Sequence, residues 1–132
     1  MSTSLRIIMV IGLMHIMWSC ADKAVFQTSR ITPAATGKVV SKEGKNGNFS
    51  IEIEVQHLAD PGKLKPSRKY YVVWNRCKEG KINIGKLSLD KELNGSLKTE
   101  SAYKVRRILI SAEDDDKASK PGKQLVLKSA KL

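Results

Sequence analysis

The chain reads as all-β, a single antiparallel β-sandwich of immunoglobulin-like form with about seven strands. Three observations predict this. Phe49, Ile51, Ile53 and Val55 alternate with Ser50, Glu52, Glu54 and Gln56, which puts the apolar side chains on one face of an extended segment and the polar ones on the other. Tyr70-Tyr71-Val72-Val73-Trp74 is an unbroken run of aromatic and β-branched residues, the composition of a central strand. Turn-forming residues recur at intervals of about eight to twelve residues, and no segment carries an apolar stripe long enough for a substantial helix. A small closed barrel is the alternative way to arrange the same strands.

The elements follow in order. Lys38-Val39-Val40-Ser41 pairs with the alternating strand as a hairpin, through a loop holding Gly44 and Asn46-Gly47, residues that accept positive φ cheaply. Asp60-Pro61-Gly62 breaks the chain, and Pro66 keeps it open until the aromatic run. Glu79-Gly80 turns it back into a strand carrying Ile82, Ile84 and Leu87 around Gly85. Leu93 to Leu97, interrupted by Asn94-Gly95, is a short strand beside a turn. Val105 and Ile108-Leu109-Ile110 form the next buried strand, an acidic loop follows from Glu113 to Asp116, and Pro121-Gly122 precedes a closing strand at Leu125-Val126-Leu127. Trp74 invites comparison with the tryptophan buried between the sheets of immunoglobulin domains, although the cysteines that would flank it are missing.

Ahead of the sandwich, Arg6 and the apolar run Ile7 to Trp18 end at Ser19-Cys20 and an abrupt switch to polar sequence. As a helix the run spans roughly 18 Å, at about 1.5 Å per residue, against a hydrocarbon core of about 30 Å. A cleavable export signal over residues 1–19 is expected. The small Ser19 directly before Cys20 resembles the lipobox of bacterial lipoproteins, in which the cysteine thiol receives a diacylglycerol and becomes the first mature residue; Met17 and the bulky Trp18 depart from the usual pattern. That resemblance implies a lipid anchor at Cys20 and hence a membrane partner. The alternatives are a free thiol or a disulfide with Cys77, the only other cysteine. Residues 20–36, short of bulky side chains after Phe26 and containing Pro33-Ala34-Ala35-Thr36, are expected to be a tether, and 37–132 the domain.

The 132 residues carry a formal net charge of +11, of which only Arg6 lies in the expected signal. So basic a chain attracts anionic lipid, acidic polysaccharide or free DNA in a salt-sensitive way. An address outside the cytoplasm excludes specific nucleic-acid work, and the lysines are scattered through turns and alternating positions, the pattern of a solvated face.

Candidate chemistry is sparse. His57 is the only histidine after the signal, and its spacing continues the apolar face of the alternating strand, which predicts a partly buried structural residue. No nucleophile, base and orienting group accompany it, so no enzyme and no cofactor are expected. Glu113-Asp114-Asp115-Asp116 is a weak candidate cation loop for Ca²⁺, since a calcium loop sets oxygens at alternate positions around a nearby glycine. The competing reading is a solvated turn whose acids pair with Lys117 and Lys120. Arg76 and Lys78 flank Cys77, a setting for a reactive thiol only if their charges reach the sulfur. Cysteine and histidine spacing gives no zinc site. Tyr70, Tyr71 and Trp74 offer stacking faces for sugars if exposed and core if not.

Tyr71, Val73 and Trp74, then Ile84-Gly85-Lys86-Leu87, then Ile108 through Glu113 and Pro121-Gly122, follow the order and spacing of the extracytoplasmic C-terminal domain of anti-sigma-K-type factors, which this stretch resembles. The resemblance implies a sandwich module in the cell envelope. It does not imply sigma-factor binding, because those factors carry a sigma-binding domain and a transmembrane helix ahead of the sandwich. The chain also resembles small envelope lipoproteins of Bacteroidetes-type bacteria. The expected function is a non-enzymatic lipoprotein of the bacterial cell envelope, periplasmic or surface-exposed, acting as a structural or docking module toward another envelope protein. The alternative is a lysine-mediated binder of anionic envelope glycan or lipid.

Overall fold

A computed structural model describes residues 20–132; the signal expected over 1–19 lies outside the described residues. Nine strands build the fold: β1 (Ala21–Val25), β2 (Thr36–Glu43), β3 (Phe49–Gln56), β4 (Tyr70–Cys77), β5 (Gly80–Lys86), β6 (Ser88–Leu89), β7 (Gly95–Ser101), β8 (Arg107–Glu113) and β9 (Leu125–Lys128). They form two antiparallel sheets, ordered β1-β2-β3-β7-β6 and β5-β4-β8-β9. Strands β2 to β9 reproduce the immunoglobulin arrangement, β2-β3-β7-β6 standing for A-B-E-D and β9-β8-β4 for G-F-C, with β5 added beside C. The predicted sandwich is therefore present, with two strands more than expected.

The two extra strands have different causes. β6 is only two residues long and carries no periodicity to read. β1 corrects the reading of 20–36 as a tether: Ala21 to Val25 pair with Lys42 to Lys38, Phe26 bridges Ser129, and Phe26 and Ala35 belong to the main core. Ser29, buried, pins the following turn by donating to the Val126 carbonyl at 2.5 Å and accepting from the Ile31 and Thr32 amides. Beyond Phe26, small side chains such as Ala24, Ser29, Thr32 and Ala35 seat this segment in the body of the domain, where a search for further bulky ones finds nothing.

The core lies between the sheets. Ile51, Ile53 and Val55 of β3 face Tyr71 and Val73 of β4 and Ile108, Ile110 and Ala112 of β8, all nearly inaccessible. In β5 an extra residue opposite Val73/Trp74 shifts the register, so that Ile84 and Leu87 both reach the core despite their odd spacing. Gly85, at φ +132, sits in that bulge, where a Cβ would come within 3.3 Å of the Leu97 side chain.

A second, smaller cluster on the outer face of the four-stranded sheet joins Val72, Trp74 and Leu109, with Tyr70 and Ala118 packed against it. Trp74 thus points away from the space between the sheets, which corrects the immunoglobulin comparison: the inner positions of β4 belong to Tyr71, Val73 and Asn75. Strand alternation leaves Trp74 no other direction once Tyr71 and Val73 face inward. The indole is fully buried and donates from Nε1 to Ser111 Oγ at 2.8 Å.

Candidate functional site

The acidic loop is the lid of that outer cluster. Glu113 Oε1 accepts from Ser111 Oγ at 2.9 Å and from the Gly122 amide at 2.6 Å. Asp114 pairs with Arg68 at 2.9 Å, Asp115 Oδ1 accepts from the Lys117 amide, and Asp116 pairs with Lys86 at 3.4 Å, whose ammonium stands 4.5 Å from the centre of the Tyr70 ring. Asn83 Nδ2 donates to the Asp116 and Ala118 carbonyls, tying the loop to β5. The four carboxylates of the candidate cation loop, Glu113, Asp114, Asp115 and Asp116, point to different partners, and these contacts make the loop a structural clasp. Among the described residues no group of three or more His, Cys, Asp or Glu converges as metal ligands. The expected partners Lys117 and Lys120 form no ion pair there among the described residues; Arg68 and Lys86, distant in sequence, do.

The other expected site residues are placed as follows. His57 is exposed and adopts φ +58, which takes it out of β3 just where burial is predicted; the chain leaves the sheet there and Leu58 takes the inward place. Cys77 is buried on the inner side of β4, and burial pushes its thiol pKa up, against a reactive thiolate. Cys20 is exposed, Cys77 is buried, and no disulfide joins them. Tyr71 and Trp74 are buried and offer no stacking face for a sugar ring.

Two features escape sequence reading. The first is the flank where β5 and β7 face each other. β6 pairs only Ser96 and Gly95, so the rest of β7 has a neighbour on one side only, as does β5 on the sheet edge opposite it. Between them runs an open groove of about 790 Å³ whose lining mixes Ile84, Leu97 and Tyr103 with Asn83, Lys86 and Glu100. Tyr103 is 42% exposed.

The second is a cleft of about 440 Å³ at the end of the sandwich, lined by Arg76, Cys77, Lys78, Arg106, Arg107 and Lys131. Lys81 and Arg107 are the register partners of Arg76 on either side, so three cations stand in a row across β5, β4 and β8. None of Arg76, Lys78, Lys81, Arg106, Arg107 and Lys131 forms an ion pair among the described residues. The five-stranded sheet behaves differently: there Lys38 meets Glu54 and Lys98 meets Glu52 across neighbouring strands.

Against this geometry, comparison with known proteins adds nothing. No family model, curated protein or solved structure matches the chain. The site must be read from its own residues: an open flank of mixed lining between two strand edges, and a cationic end whose Lys and Arg side chains form no ion pair among the described residues. Among the described residues no helix is long and apolar enough to cross a membrane.

Proposed function

We propose that the protein is a non-enzymatic lipoprotein of the bacterial cell envelope, anchored through Cys20, whose sandwich docks another envelope protein along the β5/β7 flank. The observation that carries this reading is the pair of one-sided strand edges bordering a groove of mixed apolar and polar lining. Unpaired edge backbone is a template for an added strand, and sheets with nothing to recruit usually blunt or cover such edges. The likeness of residues 70–126 to the envelope domain of anti-sigma-K-type factors supports the same setting, since that domain is an extracytoplasmic sandwich. The anchor is supported by the signal pattern ending at Cys20 and by the exposure of that residue in the described chain. The view that no reaction is catalysed is supported by the described residues, which bring no nucleophile, base and orienting group together.

Crosslinking in intact cells followed by capture of the full-length protein tests the docking surface. A protein partner that survives moderate salt and is lost in the Tyr103→Ala variant supports it. Recovery of the same partner with Tyr103→Ala and with Leu97→Ala refutes the assignment to this flank.

A further inference from the structure

We infer that the cationic end of the sandwich binds the headgroup phosphates of an anionic lipid surface, and that the row Lys81, Arg76 and Arg107, with Arg106, Lys78 and Lys131, forms the contact. Like charges directly opposite each other in a sheet are destabilising. The chain pairs opposite charges across strands in its five-stranded sheet, yet in the four-stranded one it aligns three cations by register and leaves them unpaired among the described residues. An arrangement that weakens the free protein is offset when an anion takes its place among the charges. Three of the six residues are arginines, whose planar guanidinium matches phosphate oxygens two at a time.

The position of the row identifies the source of the phosphates. Ala21 pairs with Lys42 at the hairpin end of β2, and Phe49 at the start of β3 pairs with Ser101 at the end of β7. The chain then passes directly from Ser101 to Arg106 and Arg107, and the Arg106 carbonyl accepts from the Leu132 amide. Asn75 confirms the connection by donating from Nδ2 to Ser101 Oγ and the Tyr103 carbonyl. Cys20 and the cation row therefore occupy the same end of the sandwich, and β1 begins at the residue after Cys20. This inference rests on the proposed anchor for its orientation: a chain moored at Cys20 without a spacer sets its cationic end on the headgroups. The acidic clasp at 113–116 lies at the other end, where β8 finishes.

Residues 20–132 enclose their own core of two facing sheets, so the test uses this segment carrying Cys20→Ser, which removes acylation and reads the face alone. It is floated with vesicles of phosphatidylcholine, with and without phosphatidylglycerol. Binding is expected only where phosphatidylglycerol is present, and it weakens as salt rises. Arg76→Gln and Arg107→Gln should each lower the affinity about fivefold. The control variants Lys63→Gln and Lys91→Gln, at the other end, should leave it unchanged. Near-ultraviolet circular dichroism checks that every variant is folded. Equal losses from both pairs of variants, or no preference for phosphatidylglycerol, overturn the inference. Binding to a soluble acidic polysaccharide without binding to the vesicles also overturns it, and assigns the row to glycan. Intact mass of the protein from its producing cells reports separately on the anchor: absence of acyl chains refutes that reading and leaves the vesicle result standing.

Discussion

The Tyr71 hydroxyl is sealed in the core, where it donates to the Ala59 carbonyl at 2.6 Å. Burial, with the Asp60 carboxylate adding to it, pushes its pKa from 10 up to about 12. Below pH 10 the tyrosine is protonated in both folded and unfolded chains and contributes no pH dependence. Between 10 and 12 the unfolded chain releases this proton and the folded one keeps it, so stability falls as pH rises, by about 1.4 kcal/mol per unit and about 2–3 kcal/mol in all. Urea unfolding at about pH 9 and about pH 11.5 should show this loss, and Tyr71→Phe should remove that part of it. At the lower pH the variant costs about 1–3 kcal/mol, because the Ala59 carbonyl loses its donor. Trp74 teaches a similar lesson about single residues. Its burial is legible from composition, but the face it takes depends on which neighbours turn inward, and its Ser111 partner lies 37 positions away.

Strand β1 and the turn after it are the element on which reading and fold disagree most. If residues 20–36 were a tether, Phe26→Ala would leave stability unchanged; packed in the core, Phe26 should cost about 3–5 kcal/mol on truncation, measured by urea or thermal unfolding. β3 is readable from its strict alternation of apolar and polar residues, and β4 and β8 from unbroken apolar runs that are buried on both faces. β1 offers Ala24 as its only buried residue, and β7 turns only Leu97, Thr99 and small end residues away from solvent, so neither shows a strong pattern. The existence of such strands is decided by hydrogen bonding to neighbours that a local window does not contain. The acidic loop is a related case. Four consecutive acids suggest a ligand, whereas the Gly122 amide, Arg68 and Lys86 that consume three of them are brought in by the tertiary fold.

At the scale of the whole molecule, charge that looks dispersed in the sequence is sorted by register. Nothing local announces that Lys81, Arg76 and Arg107 share a row; only the pairing of β5, β4 and β8 does. The row makes a prediction opposite in sign to most substitutions: Arg107→Gln should stabilise the free protein by about 0.2–1 kcal/mol at low ionic strength by relieving repulsion across the strands. Thermal unfolding should show the gain shrinking as salt is added. A substitution that strengthens the fold while weakening vesicle binding would mark the row as retained for contact. The junction at Cys20 has one more implication. A slack leash over residues 20–36 would let the domain roam about 20–25 Å from its mooring, but β1 takes up that length, and a domain held at Cys20 can do little more than swivel in place. Its reach is then set by lateral diffusion of the anchor, so a membrane-bound partner must meet it within the plane of the bilayer, and a protease that trims exposed linkers finds no slack peptide between Cys20 and β1 to cut.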